Sequence, residues 1–263
     1  MSGSDPETVL VFPFGAVGAI WLFHVYDRLA NPSPLGCGSG PRLTLGSAIA
    51  GCHVALWIAL AGFASAEVRR DLGLQAVFCF ALTVALAVVT NVLALLGVDA
   101  FGDGIERNNP AARRAALGAW AAVTLCAIGA NLGEGDFAGT ALLPLALSVA
   151  ALLGASLAVS VATRGFLPIV VEREAAAGGR FATLCVACAL PLARASAGDW
   201  VSFASTLGDF LRAAVAVAII AAAAVFGERH LARASAAAIR PTLRMALPSA
   251  VMLGLGVAAF LLV

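Results

Sequence analysis

Long apolar runs alternate with short polar segments along this chain. Eight runs stand out, at 9–26, 44–64, 74–98, 115–132, 140–161, 181–197, 207–226 and 245–263. A helix that crosses a bilayer needs about 17–25 apolar residues, and most of these runs satisfy that length. The sixth is the shortest and carries Arg194 near its far end. The pattern predicts an all-α membrane protein, a single domain over 1–263 with about eight transmembrane helices joined by short loops. Every backbone polar group would be satisfied inside its own helix, as lipid requires.

The polar breaks are unequal. The loops after the first, third, fifth and seventh runs hold Arg28, Arg42, Arg107, Arg113, Arg114, Arg164, Arg173, Arg180, Arg229, Arg233, Arg240 and Arg244. The opposite side holds only Arg69, Arg70, Arg194 and Arg212. Basic residues are retained on the cytoplasmic side, so the arginine-rich loops are expected inside and both termini outside. The first run is preceded by Asp5 and Glu7 and by no basic residue. This lacks the charge pattern of a cleaved signal, and the run is expected to remain as a helix.

The segment "GDGIERNNPAARRAALGAW" at 102–120 shows how one such loop starts a helix. Asn109 before Pro110 reads as an N-cap with proline at the first helical position, where no N–H is needed. Arg113 and Arg114 follow in the first turns, able to reach the headgroups. A similar arrangement recurs: "GIERNNPAARR" at 104–114, "VVEREAAAGGR" at 170–180 and, more loosely, "GERHLARASAAAIR" at 227–240. The opposite ends also match, "ANLGEG" at 130–135 with "ASAGDW" at 195–200. These spacings predict an internal repeat of two helices, with approximate copies at 38–98, 102–166 and 168–226 and a partial one at 227–263. A two-helix unit returns to the side on which it began, so successive copies would be parallel rather than inverted.

The residues Ile105, Asn109, Ala111, Ala112, Gly118 and Gly133 form a pattern that resembles the YjfL-like family of bacterial inner-membrane proteins, a domain of unknown function. The resemblance is best over 100–226. The next copy departs from it, with Glu174 where asparagine is expected, while Ala176 and Ala177 remain. It implies a helical inner-membrane protein and brings no catalytic residues with it.

Composition agrees with the pattern. Hydrophobic residues make up 61% of the 263 and charged residues 12%, against about 25% charged in a soluble domain. The net charge of +1 gives no reason to expect a nucleic-acid partner. The expected partners are the lipid bilayer and, through it, further copies of the chain or other membrane proteins.

Chemistry-bearing residues are few. Glu106–Arg107, Glu172–Arg173 and Glu228–Arg229 repeat, and around a pseudo-axis they would make a charged ring at a cytoplasmic mouth; the alternative is that each pair only solvates its loop. His53 and Asn91 lie well inside apolar runs, where polar side chains face the bundle interior to pair or to line a pathway. His24 and Asp27 share a helical face. Asp209 with Arg212, and Arg194 with Asp199, suit anchoring at the outer surface. Cys185 and Cys188 form a C-x-x-C, but inside an apolar run they read as packing rather than as a dithiol or zinc site. Pro191 is placed to kink its helix and free a carbonyl. With three histidines, and none of the phosphate-loop, dinucleotide or hydrolase motifs, no cofactor or metal is expected. The chain reads as a non-enzymatic protein that acts by assembly or partner interaction, with a channel or transporter for an ion or small solute as the alternative.

Overall fold

The computed structural model describes residues 6–31, 39–133, 139–163, 166–199, 201–233 and 241–263, without the side chains of 6–15, 232–233 and 241–244. Glu134, Cys37, Arg164 and Arg240 therefore lie outside the described residues, as do the side chains of Arg233 and Arg244.

The described residues are helical and contain no strand. The elements are α1 (Pro6–Ala30), α2 (Ser39–Phe63), the short α3 (Ala66–Arg70), α4 (Leu72–Leu95), a single π-type turn (Gly102–Glu106), α5 (Pro110–Ala130), α6 (Gly139–Thr163), the short α7 (Phe166–Val170), α8 (Ala175–Ser196), α9 (Phe203–Arg233) and α10 (Pro241–Leu262). Seven stretches are long and apolar enough to cross a membrane: α2, α4, α5, α6, α8, α9 through Leu231, and α10 from Met245. α1 is also a 25-residue helix. The marginal sixth apolar run belongs to a full 22-residue helix, because α8 starts at Ala175, six residues before the run.

Local chemistry sets the helix ends. Asp71 caps α4, its carboxylate accepting from the Gly73 and Leu74 amides at 2.7 and 3.2 Å. α4 ends where Gly97 takes φ +100°. The Val98 amide donates back to the Leu93 carbonyl at 2.8 Å and the Gly97 amide to Ala94 at 3.0 Å, the two bonds that close a helix on a left-handed glycine.

The long helices form two rows. α2, α5, α8 and α10 pack side by side in one, and α1, α4, α6 and α9 pack in the other, with α4 and α6 also against α5. The α5–α8 pairing is the most extensive in the molecule. It is parallel, because its contacts advance together: Ala111 with Gly178, Gly118 with Ala182, Gly129 with Ala193, and beyond the helices Gly133 with Gly198. At Gly118, Gly129 and Gly178 an added Cβ would fall on backbone atoms of the opposite helix, and at Gly133 on the backbone of Gly198. α8 meets α10 in the same sense, Gly179 at Met245, Thr183 at Ser249 and Ala187 at Gly256. Apolar side chains gain little from leaving lipid for protein, so close van der Waals approach of small residues is what holds such helices together.

Pro191 lies within α8. Lacking an N–H, it leaves the Ala187 carbonyl without its helical donor. That carbonyl lies against Gly256 of α10, where an added Cβ would be 2.8 Å from the oxygen. The absence of a side chain at Gly256 lets the backbone approach the freed oxygen.

Candidate functional site

The arginine-rich ends of the helices carry the ion pairs Arg28–Glu106, Arg107–Asp103, Arg180–Glu174 and Arg180–Glu228, and the loops before α5 and α8 are built alike. Before α5, the π-type turn is followed by Asn108 at φ 49°, then by the N-cap Asn109. Before α8, the short α7 is followed by Arg173 at φ 52°, then by the N-cap Glu174. In both loops the N-cap amide donates six residues back, Asn109 to the Asp103 carbonyl and Glu174 to the Pro168 carbonyl, each at 2.9 Å. The matched positions are 65 apart. Matching the Glu-Arg pairs by sequence spaces them by 66, so Glu106 and Glu172 do not occupy equivalent places.

Asn109 is buried and uses both ends of its amide. Its oxygen accepts from the Ala111 and Ala112 amides at 2.9 and 3.3 Å. Its nitrogen donates to the Ile169 carbonyl at 2.8 Å, tying the start of α5 to α7. The expected cap is there, together with a bond across 60 residues that local pattern could not reveal.

The Glu-Arg pairs do not come together as a ring among the described residues. Glu106 accepts from Arg28 of α1 at 2.7 Å. Arg107 pairs with the buried Asp103 at 2.9 Å. Arg173 donates to the Arg107 carbonyl at 3.3 Å, while Glu172 is exposed. Arg229 donates to the Ala162 carbonyl at 3.3 Å, and Glu228 turns to α8. The physical reason is that consecutive residues on a helix or tight turn point about 100° apart; each member of a Glu-Arg pair meets a different neighbour.

The partner of Glu228 is Arg180, one of the arginines of the cytoplasmic-type loops in the sequence pattern. Its side chain is only 4% exposed. Nε donates to one Glu228 oxygen at 2.5 Å and Nη2 to the other at 3.1 Å, while Nη1 is 3.4 Å from Glu174. A guanidinium gripping a carboxylate with two parallel bonds is the strongest form of this pairing. Beside it lies a cavity of about 30 Å³ between α6, α8, α9 and α10, lined by Ser160, Thr163, Phe181 and Leu184 among others. That is room for a water or two. The repeated arginine followed by an apolar run was the available signal, but nothing local linked Arg180 to a residue 48 positions away.

The intramembrane polar residues are elsewhere. His53 Nε2 is 2.8 Å from the Thr83 hydroxyl of α4, and its Nδ1 is 2.9 Å from the Ile49 carbonyl. Asn91 does not face the interior as expected. It is exposed on α4, its amide donating to the Ala87 carbonyl one turn back at 2.9 Å. This intrahelical bond partly satisfies the amide without a neighbouring helix. His24 and Asp27 are both exposed, and Asp27 accepts from Asn31. Asp209 and Arg212 pair at 3.3 Å as expected. Cys185 and Cys188 are buried in the α8 core, with Ser156 3.8 Å from the Cys185 sulfur. Trp120 donates to Thr90 at 2.9 Å, and Ser148 and Ser196 are 3.0 Å apart. No group of three metal-ligating side chains occurs among the described residues.

The chain is a multi-pass helical protein by these criteria. Comparison with family models, with characterised proteins and with solved structures finds no match.

Proposed function

We propose that this integral membrane protein is non-enzymatic and acts by assembly with other membrane-embedded chains, in the inner membrane of a bacterium with its arginine-rich loops in the cytoplasm and both termini outside. The observation that carries this reading is the placement of its polar residues. His53, Asn91, Glu106, Arg107, Asn109, Glu172 and Arg173 were the candidates for a binding site. Glu106, Arg107, Asn109, Glu172 and Arg173 lie in the two loops before α5 and α8, where their described bonds tie helix ends together. His53 and Asn91 lie apart from them within α2 and α4, and the α5–α8 seam within the first row is packed down to the backbone. Such a build supports a rigid scaffold more readily than a solute path.

The same packing suits four parallel two-helix units, α1–α2, α4–α5, α6–α8 and α9–α10, so the proposed repeat starts one helix earlier than the sequence matches suggest. The resemblance to the YjfL-like family accords with this, since Asn109, Ala111, Gly118 and Gly133 of its pattern all lie on or beside the α5–α8 seam. The test is flux from proteoliposomes. Ion and small-solute release is expected at the level of protein-free vesicles. Flux that is lost on neutralising Glu106 and Glu172 would overturn the reading in favour of a channel or transporter.

A further inference from the structure

Among the described residues the row α2–α5–α8–α10 is open at both ends, and its internal seams show what its uncovered faces accept. On α8, Gly178 and Ala182 meet the preceding helix, whereas Gly179 and Thr183 meet the following one. The two faces are thus one residue, or about 100°, apart around the helix.

The same step identifies the unpartnered faces. α10 meets α8 through Met245 and Ser249, so its onward face starts at Ala246 and Ala250 and continues at Gly254. All three are exposed, and an added Cβ at Gly254 would meet nothing within 4 Å. At the other end, α2 meets the π-type turn and α5 through Leu45 and Cys52, the latter beside Thr124. Its backward face therefore holds Thr44 and Gly51, again exposed, and a Cβ at Gly51 would also meet nothing. Small residues on these two outer faces match the residues used at the inner seams, where the glycines are instead packed against backbone.

We propose that the α10 face at Ala246, Ala250 and Gly254 docks on the α2 face at Thr44 and Gly51 of a second copy of this chain, continuing the parallel row from one molecule into the next. The proposal rests on the assembly reading above and names its partner. A helix of this same protein, in the same bilayer and the same orientation, is what each internal seam already receives. The contact joins two different faces and is therefore heterologous, giving a ring if the rotation closes and an open file if it does not.

Disulfide trapping in native membranes tests it. Two differently tagged chains, with native cysteines replaced by alanine, carry Gly51→Cys in one and Gly254→Cys in the other. Oxidation is expected to join the two tags through 51 and 254, and to give at least tenfold less of the 51–51 or 254–254 products. Gly254→Leu is expected to abolish trapping at 51 while leaving the thermal unfolding midpoint unchanged, because its side chain enters open space. Like-with-like products alone would overturn the head-to-tail contact and leave assembly standing. Single-molecule bleaching that finds only monomers would overturn the inference itself, while the flux measurement decides the wider reading separately.

Discussion

Gly118 has no room for a side chain. An added Cβ would coincide with the backbone of Ala182, and the backbone of α8 cannot swing aside as a flexible side-chain tip would. Gly118→Ala is therefore expected to destabilise the protein by about 1–3 kcal/mol through overpacking. Gly154, mid-helix in α6, meets nothing within 4 Å; Gly154→Ala is expected to be neutral or to stabilise by roughly 0.5–1 kcal/mol through helix propensity. Thermal unfolding in one detergent compares the two variants directly, and equal midpoints would contradict the seam. Asn109→Ala removes the cap and leaves the Ile169 carbonyl without its donor, a loss expected at about 2 kcal/mol. The cap itself was legible in the sequence because an N-cap followed by proline is a local signal. Asn91 was misplaced because the depth of a residue in an apolar run says nothing about the direction in which the helix turns it.

At the scale of the helices, the charged cluster on α8 is the element whose loss is most informative. Arg180→Ala leaves Glu228 and Glu174 without their shared cation, and because both carboxylates keep some solvent contact the loss is expected below the roughly 3–5 kcal/mol typical of a fully buried pair. Pairing Arg180→Met with Glu228→Gln should recover a large part of that loss, since both charges go together. Chemical denaturation of the single and double variants measures the coupling; a double variant no more stable than Arg180→Ala would show that Glu228 is not the principal partner. The existence and order of the long helices were legible from apolar run length alone. The starts of α8 and α9 were less so, since Ala175–Arg180 and Phe203–Leu207 mix small, polar and apolar residues that hydropathy does not assign. The loop register was hidden for a different reason. Identical Glu-Arg letters align at 66, whereas the positive-φ residues and N-caps align at 65, and backbone conformation rather than residue identity defines the turn.

For the whole molecule, the arginine distribution makes the last prediction. Reporters placed in the 66–70 segment are expected to respond outside the cell, and reporters near 107 and 173 inside. Reversal of Arg107, Arg113 and Arg114 to glutamate is expected to reduce correct insertion, read as protease accessibility of those loops. The fold class was readable because lipid imposes so few solutions on the backbone. The side-by-side order of the rows was less readable, since in a chain so rich in alanine every helix offers small residues on several faces. Paired glycines in atomic contact distinguish the faces used at the internal seams.

The parallel seams also bear on how such a chain tolerates change in length. Each stacked helix lies beside one some 65 positions further along and points the same way, so gain or loss of a whole hairpin by gene duplication or excision leaves all downstream loops on their original side. An odd helix inserted or removed would invert everything after it. Growth of such an architecture would therefore be quantised in twos, each added hairpin meeting a groove beside its neighbour.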